Sequence, residues 1–243
     1  MGCQPLWNGL VYNWLKNIQV CLLCDEPSDN PYGACEACER ELPWLDEQCA
    51  VCALPLAMAG LTCAPCRRRP PAFTKVETPW HYGFPIDSLI SRFKHSSQWP
   101  YGRWLAEMLG HWLLHRFNED LPRPQWLLPV PMGRKRLRQR GFNQAEMLAG
   151  WLSSALDIPC DASLVQRPRE TQAQQELGAK ARRSNLQAAF ALRPGACVKG
   201  LHVALVDDVL TTGATAQALA TLLRGAGAAR VDVYCLARTP KLE

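Results

Sequence analysis

Val203-Ala204-Leu205-Val206-Asp207-Asp208-Val209-Leu210-Thr211-Thr212-Gly213-Ala214-Thr215 packs a strand, an acid pair and a turn into thirteen residues. Val203 to Val206 is a short continuous apolar run with two β-branched valines, which reads as a strand buried on both faces, as in a parallel sheet. A helix is predicted to follow over Ala216 to Arg224, with leucines at 219, 222 and 223, and to stop in Gly225-Ala226-Gly227. The turn between them holds small and hydroxyl side chains, which leave backbone N–H groups free to converge on an anion where the helix dipole also favours negative charge. That makes it a phosphate seat. It is not a Walker A loop, because no Gly-Lys-Ser/Thr follows, nor the Gly-x-Gly-x-x-Gly dinucleotide fingerprint. Asp207 and Asp208 would repel a phosphate unless they have hydroxyls or a metal to hold.

This stretch closely resembles the phosphoribosyl pyrophosphate (PRPP) motif of type I phosphoribosyltransferases. The resemblance implies that Asp207 and Asp208 hold the ribose 2′ and 3′ hydroxyls, while Thr211, Thr212, Gly213, Ala214 and Thr215 bind the 5′-phosphate. It also implies an α/β fold, a type I phosphoribosyltransferase-like parallel sheet flanked by helices.

The chain has 243 residues, more than one domain of usual size, so a main core plus a smaller module is expected. Nearly half the residues are hydrophobic and a fifth charged, which is ordinary for a globular protein and argues against disorder. The formal net charge is +5 with every cysteine neutral. Eight thiolates would subtract eight charges and two Zn²⁺ return four, leaving about +1, so overall charge is weak evidence for a nucleic-acid partner. No targeting segment is visible, and Asn8, Asn13, Lys16, Asn17 and Gln19 interrupt any membrane span near the start. A cytoplasmic location is therefore expected. Residues 1–20 read as an amphipathic helix, with Trp7, Leu10, Val11, Trp14, Leu15 and Ile18 on the face that packs against a neighbour.

Eight of the twelve cysteines form four Cys-x-x-Cys pairs, Cys21/Cys24, Cys35/Cys38, Cys49/Cys52 and Cys63/Cys66, which recur every fourteen residues. Each pair sets two thiolates on one side of a tight turn, and two pairs complete a tetrahedral Cys₄ zinc site. Two structural zinc ions are expected, with iron–sulfur ligation or redox pairs as the alternatives. Asp25 to Ala34 and Ala53 to Thr62 contain turn-forming residues, whereas Glu39 to Gln48 reads as a short helical piece and a proline joint. This favours sequential pairing, 21/24 with 35/38 and 49/52 with 63/66, over a cross-braced arrangement. Cys3, Cys160, Cys197 and Cys235 are scattered and read as inert.

Arg67-Arg68-Arg69-Pro70-Pro71 marks a domain boundary, giving a helix at 1–20, a double zinc ribbon at 21–70 and a phosphoribosyltransferase-type domain at 71–243. Lys75 to Phe84 contains a plausible edge strand, and helices are predicted over Ile86 to His95 and Gly102 to Phe117. The latter carries His111 and His115 at i, i+4, but the Trp-Leu-Leu between them and the lack of a third ligand nearby argue against metal. Trp126 to Val130 is the next buried strand. A basic loop, Gly133 to Gln144, then places Arg134, Lys135, Arg136, Arg138 and Arg140 within seven positions, a cluster that faces pyrophosphate or nucleic acid. A helix over Gln144 to Leu156 and a last strand over Val231 to Leu236 complete a sheet of about five strands.

Pro129-Val130-Pro131, the basic run and Arg140-Gly141-Phe142-Asn143-Gln144 resemble the ComF family, also known as GntX-like. Arg167 to Thr171, Gln174-Gln175, Leu177, Arg182 to Asn185 and Phe190 follow in the order that family shows, so the resemblance spans nearly the whole chain. It implies that Pro131 and the basic run form the pyrophosphate loop. It further implies that Thr171 to Asn185 is a flexible loop closing over substrate, with Lys180, Arg182 and Arg183 as contacts, and that Mg²⁺ accompanies PRPP. Three functions stay open. The resemblance implies a role in natural competence, handling imported single-stranded DNA or contacting a helicase-type partner, with PRPP or nucleotide binding retained. An active, amidophosphoribosyltransferase-like enzyme with an unidentified acceptor is the second, and a non-catalytic PRPP or nucleotide sensor the third. A second copy of the chain is a further candidate partner.

Overall fold

Pro43, the proline joint, is where the chain passes from one spatial unit, Met1–Leu42, to another, Pro43–Glu243. The structure is a computed structural model that describes residues 19–28, 33–96, 98–168 and 188–240. The predicted N-terminal helix up to residue 18, and the closing loop with Lys180, Arg182 and Arg183, lie outside the described residues.

In the first unit, β1 (Gln19–Val20) pairs antiparallel with β2 (Pro27–Ser28), and α1 (Glu36–Arg40) follows. Gln19 and Val20 are thus strand, where the sequence reading placed the end of a helix. The second unit opens with a ribbon that ends in α2 (Ala64–Arg68). The two ribbons repeat each other at an offset of twenty-eight residues: Cys35 N–H donates to Cys21 Sγ and Cys63 N–H to Cys49 Sγ, each at 3.3 Å. Asp25 and Ala53 occupy equivalent positive-φ positions, at 60° and 53°. They differ in chemistry. Asp25 is exposed, whereas Ala53 is fully buried in the main core, beside Leu45 and the sheet valines.

The sheet is built from β3 (Lys75–Glu77), β4 (Trp80–His81), β5 (Trp126–Pro129), β8 (His202–Leu210) and β9 (Arg230–Arg238), all parallel, in the order β3-β9-β8-β5 with β4 extending the β3 side. The single edge strand expected over Lys75 to Phe84 is two short strands instead. Val203 to Val206 and Val231 to Leu236 are buried throughout, as central strands covered on both faces must be, with the buried Asp232 paired to His202 and Arg230. Around the sheet lie α3 (Ile86–Ser96), α4 (Trp99–Asn118), α5 (Arg134–Arg140), α6 (Gln144–Leu156) and α7 (Ala214–Gly225). A separate two-stranded antiparallel pair, β6 (Val165–Gln166) with β7 (Ala191–Leu192), joins the main core through Val165 and Leu192.

The segment after Pro43 joins the sheet edge. Leu45 N–H donates to Pro79 O and His81 N–H to Pro43 O, both at 2.8 Å. Trp44 lies 5.7 Å from the buried Trp80 ring and 6.4 Å from Trp112. The second ribbon therefore packs with the sheet, although the charge and proline content of Arg67 to Pro71 points to a boundary there.

Candidate phosphoribosyl site

Strand pairing places the acid pair. Pro129 at the end of β5 pairs with Val206, and Asp207 pairs with Cys235 on β9. Asp207 is therefore a ladder residue and Asp208 lies within the same strand, not in a turn as the sequence suggests, and β8 runs on to Leu210. They stand toward the carboxyl ends of parallel strands, where open α/β sheets bind ligands.

Asp208 is 5% exposed. Its Oδ1 accepts from Val209 N–H at 2.6 Å, and its Oδ2 lies 2.8 Å from Lys94 Nζ, in the last turn of α3. Asp207 is half-buried, and its Oδ1 accepts from Asp208 N–H at 2.9 Å. Burial, then the charge of Asp208, pushes the Asp207 carboxyl up, while the Asp208 N–H and Lys94 offset part of the rise. Two carboxylates and one ammonium thus form one electrostatic unit. Lys94 escapes the sequence reading because it sits beside Phe93 on the flank of an ordinary amphipathic helix.

The turn read from the sequence as a phosphate seat follows at once. Thr211 and Thr212 are exposed, Gly213, Ala214 and Thr215 half-buried. Gly213 adopts φ +74° as the N-cap of α7, a conformation a side chain would strain. The helix begins at Ala214, two residues earlier than predicted. Ala214 N–H donates to Thr212 Oγ1 at 3.3 Å, and Gln217 N–H to Gly213 O at 2.8 Å. The remaining N–H groups of the first turn have no acceptor within the helix and are available to an anion.

The basic stretch is a helix rather than a loop. Arg134, Lys135, Arg136 and Arg138 are exposed on α5; Arg140 is half-buried and donates to Gln144 Oε1 at 2.6 Å. Pro131 follows Val130, whose N–H donates to Val206 O at 2.9 Å, so this connection starts beside the strand that carries the acid pair. Arg140 to Gln144 joins it to the next helix. Gly141, at φ +86°, ends α5; Phe142 packs 5.6 Å from Phe93; Asn143 caps α6 through Ala145 N–H and donates to Val130 O at 3.1 Å. His115 pairs with Glu119 at 3.2 Å, in keeping with a surface role.

The cysteines gather sequentially into two clusters, Cys21/Cys24/Cys35/Cys38 and Cys49/Cys52/Cys63/Cys66, each with its sulfurs within 4.8 Å of one another. Cys24 and Cys35 Sγ are 3.8 Å apart and Cys52 and Cys63 Sγ 3.7 Å. Four Zn–S bonds of about 2.3 Å in a tetrahedron give edges of about 3.8 Å, whereas a disulfide needs about 2.05 Å. The donor set fits Zn²⁺. Burial raises the Cys21 and Cys49 thiols, but backbone N–H groups of Cys35, Leu23 and Cys24 in one knuckle, and of Cys63, Cys52 and Val51 in the other, outweigh it and bring them to about 6 and about 7. Burial and the neighbouring sulfurs push Cys38, Cys52 and Cys66 the other way, so each cluster holds one thiol readily ionised and others that need a cation among them to ionise. Among the described residues no helix is long and apolar enough to cross a membrane.

Comparison with known proteins agrees with this layout. A family model of the phosphoribosyl transferase domain matches residues 143–243, and one of the double zinc ribbon domain matches residues 18–67. The chain is 36% identical over 222 residues to the DNA utilization protein YhgH of Escherichia coli O157:H7, covering 90% of this chain and 97% of that one. It is 37% identical over 213 residues to Competence protein F of Haemophilus influenzae, covering 85% and 90%. To Competence protein ComFC of Bacillus subtilis it is 26% identical over 244 residues, covering 90% and 95%.

Proposed function

This chain belongs to the ComF family, with a double zinc ribbon and a phosphoribosyltransferase-type domain, and from that membership we propose that it serves DNA uptake or utilisation through a site that binds PRPP. The observation that carries the reading is the run of β8 through Asp207 and Asp208 directly into the Gly213-capped start of α7. Carboxylates accept from a ribose diol, and helix N–H groups donate to a phosphate; here Asp208 and Gly213 lie five residues apart on one strand-to-helix junction.

In that complex Asp207 and Asp208 orient the sugar, with Lys94 holding Asp208 in place. Thr211 to Thr215 hold the 5′-phosphate, and the connection from Pro131 onward lies nearest the pyrophosphate. Mg²⁺ bound with PRPP, held mostly by ligand and water oxygens, would supply charge neutralisation of the pyrophosphate. Any displacement at the anomeric carbon gains from the carboxylates beside a ribose that takes on oxocarbenium character. No covalent nucleophile of the protein is required.

Calorimetry of the zinc-loaded chain with PRPP and Mg²⁺ tests this. Saturable one-site binding is expected, with loss in Asp207→Asn/Asp208→Asn. Absence of binding by folded, zinc-loaded wild type refutes it. Pyrophosphate release across a nucleobase panel then separates a transferase from a binding protein.

A second observation favours a nucleic-acid role. Residues 134–139 are all exposed and carry four cations on one short helix. Such a surface fits the phosphates of single-stranded DNA. A helicase-type partner and a second copy of the chain are the protein partners consistent with this reading.

A further inference from the structure

Arg238, near the end of β9, is 6% exposed, and its guanidinium spans two parts of the molecule that the sequence keeps 186 residues apart. Its Nε donates to the Cys52 carbonyl at 3.1 Å, inside the second cysteine knuckle. Its Nη1 donates to the Leu210 carbonyl at 2.9 Å, the Thr211 carbonyl and the Thr239 carbonyl at 2.9 Å. None of these acceptors is a carboxylate. Among the described residues its hydrogen-bond partners are carbonyls and a hydroxyl of the chain itself, so the guanidinium works as a clamp on backbone that includes Thr211, the first residue of the proposed seat.

The bonds to Leu210 and Thr211 also set the seat's geometry. A peptide unit is planar and trans, so fixing a carbonyl fixes the next residue's N–H in the opposite direction. Clamping the Leu210 and Thr211 carbonyls on one side therefore orients the Thr211 and Thr212 N–H groups away from Arg238. The Cys52 carbonyl is fixed in turn by its knuckle, where Ala53 N–H donates to Cys49 O at 3.0 Å and Cys52 Sγ belongs to the metal cluster.

We propose that Arg238 is a positioning residue that couples the second zinc cluster to the phosphate seat, so that metal occupancy at Cys49, Cys52, Cys63 and Cys66 and anion binding at Thr211 to Thr215 strengthen each other. The first cluster belongs to the other unit, Met1–Leu42. The coupling rests on the reading of Thr211 to Thr215 as an anion seat, and by linkage it acts equally in both directions. It makes the thiol chemistry of a structural metal site a control on ligand binding.

Amide hydrogen exchange on the full chain tests the clamp without any ligand. Cys63→Ser, which breaks the second cluster, and Arg238→Met are expected to speed exchange on the order of tenfold at Ala214 and Thr239, whose N–H groups donate to Thr212 Oγ1 and to the clamped Leu210 carbonyl, with β8 and β9 core amides still protected. Cys35→Ser, which breaks the first cluster, is expected to leave these amides at the wild-type rate. Arg238→Lys keeps the charge but lacks the fork, so it should exchange like Arg238→Met. Equal rates in Cys63→Ser and wild type, or equal acceleration by Cys35→Ser, overturn the proposal.

A second arm uses wild type alone, so it survives any variant that fails to fold. Zinc release from the second cluster to a chelator is followed with and without saturating PRPP. Slowing of about 5-fold or more, within the usual range of coupling between sites, is expected. No slowing, where calorimetry shows PRPP bound, overturns the coupling; where calorimetry shows no binding, it is the PRPP reading that fails and the exchange result decides on the clamp.

Discussion

Replacing Lys94 by methionine keeps the apolar stem and removes the ammonium that pairs with Asp208. The Lys94 and Asp208 side chains are 19% and 8% exposed, so the pair is largely desolvated. Deleting one partner of a buried pair costs about 3–5 kcal/mol because it leaves an uncompensated charge; the remaining water access to Lys94 puts the value near 3 kcal/mol. In a unit of this size that lowers Tm by roughly 6–12 °C. The pH dependence has a definite sign. Burial and the Asp208 charge raise the Asp207 carboxyl to about 8. A raised carboxyl favours the neutral form in the fold, so its contribution is full below about 4, the unfolded value, and is lost as pH climbs to about 8. Lys94 counters that rise, so without it Asp207 stays neutral to higher pH; the gap between variant and wild type is level while both are neutral and widens as wild-type Asp207 ionises, from about pH 7 upward. Thermal unfolding of the zinc-loaded proteins by near-UV circular dichroism at pH 5, 7 and 9 measures the gap; taking the difference cancels the shared titration of the cysteines. Adding Asp208→Asn to Lys94→Met should recover at least half the loss. A Lys94→Met protein within 1 kcal/mol of wild type at pH 9, with a gap that ignores pH, would refute the reasoning.

Gly102→Ala in α4 should destabilise by about 1–3 kcal/mol despite alanine's better helix propensity, because the new Cβ would stand 2.5 Å from the Phe93 ring, itself buried against Phe142 and Trp151; urea unfolding reads the sign. Gly213→Ala meets open space but a φ of +74°, so it should cost about 1–2 kcal/mol and weaken PRPP binding in calorimetry. Arg134→Gln/Arg138→Gln removes two cations from one face of α5 and should lower the salt slope of single-stranded DNA binding by about 1.4, measured by fluorescence anisotropy against an unchanged PRPP affinity.

Local signals carried the sequence reading furthest where a cap and a period agree. The helix over Gln144 to Leu156 was legible to the residue, because Asn143 caps its start and Asp157, in the left-handed region at φ 53°, closes its end. The acid pair was visible as chemistry but not as strand: aspartate is disfavoured in β structure, and only pairing of Asp207 with Cys235 and Val209 with Ala237 keeps the ladder going. The basic run reads as loop because no apolar face marks α5, a helix of two turns ended by Gly141. The fourteen-residue cysteine rhythm showed the clusters yet hid that the ribbons differ in setting, which turns on Ala53 standing where the first ribbon has Asp25. Lys94 and Arg238 were invisible for a common reason. Each acts through a contact far along the chain, and a single sequence carries no mark of it.

The tryptophans at the sheet edge give this molecule an optical gauge. Trp44, Trp80, Trp104 and Trp112 form a relay of rings 5.7–6.4 Å apart, close enough for their electronic transitions to mix. Trp44 belongs to the strap after Pro43, whereas the others sit on β4 and α4. Lifting that strap would quench the exciton signature in the near ultraviolet while the far-ultraviolet spectrum stayed as it was, so detachment of the second ribbon can be timed by light alone.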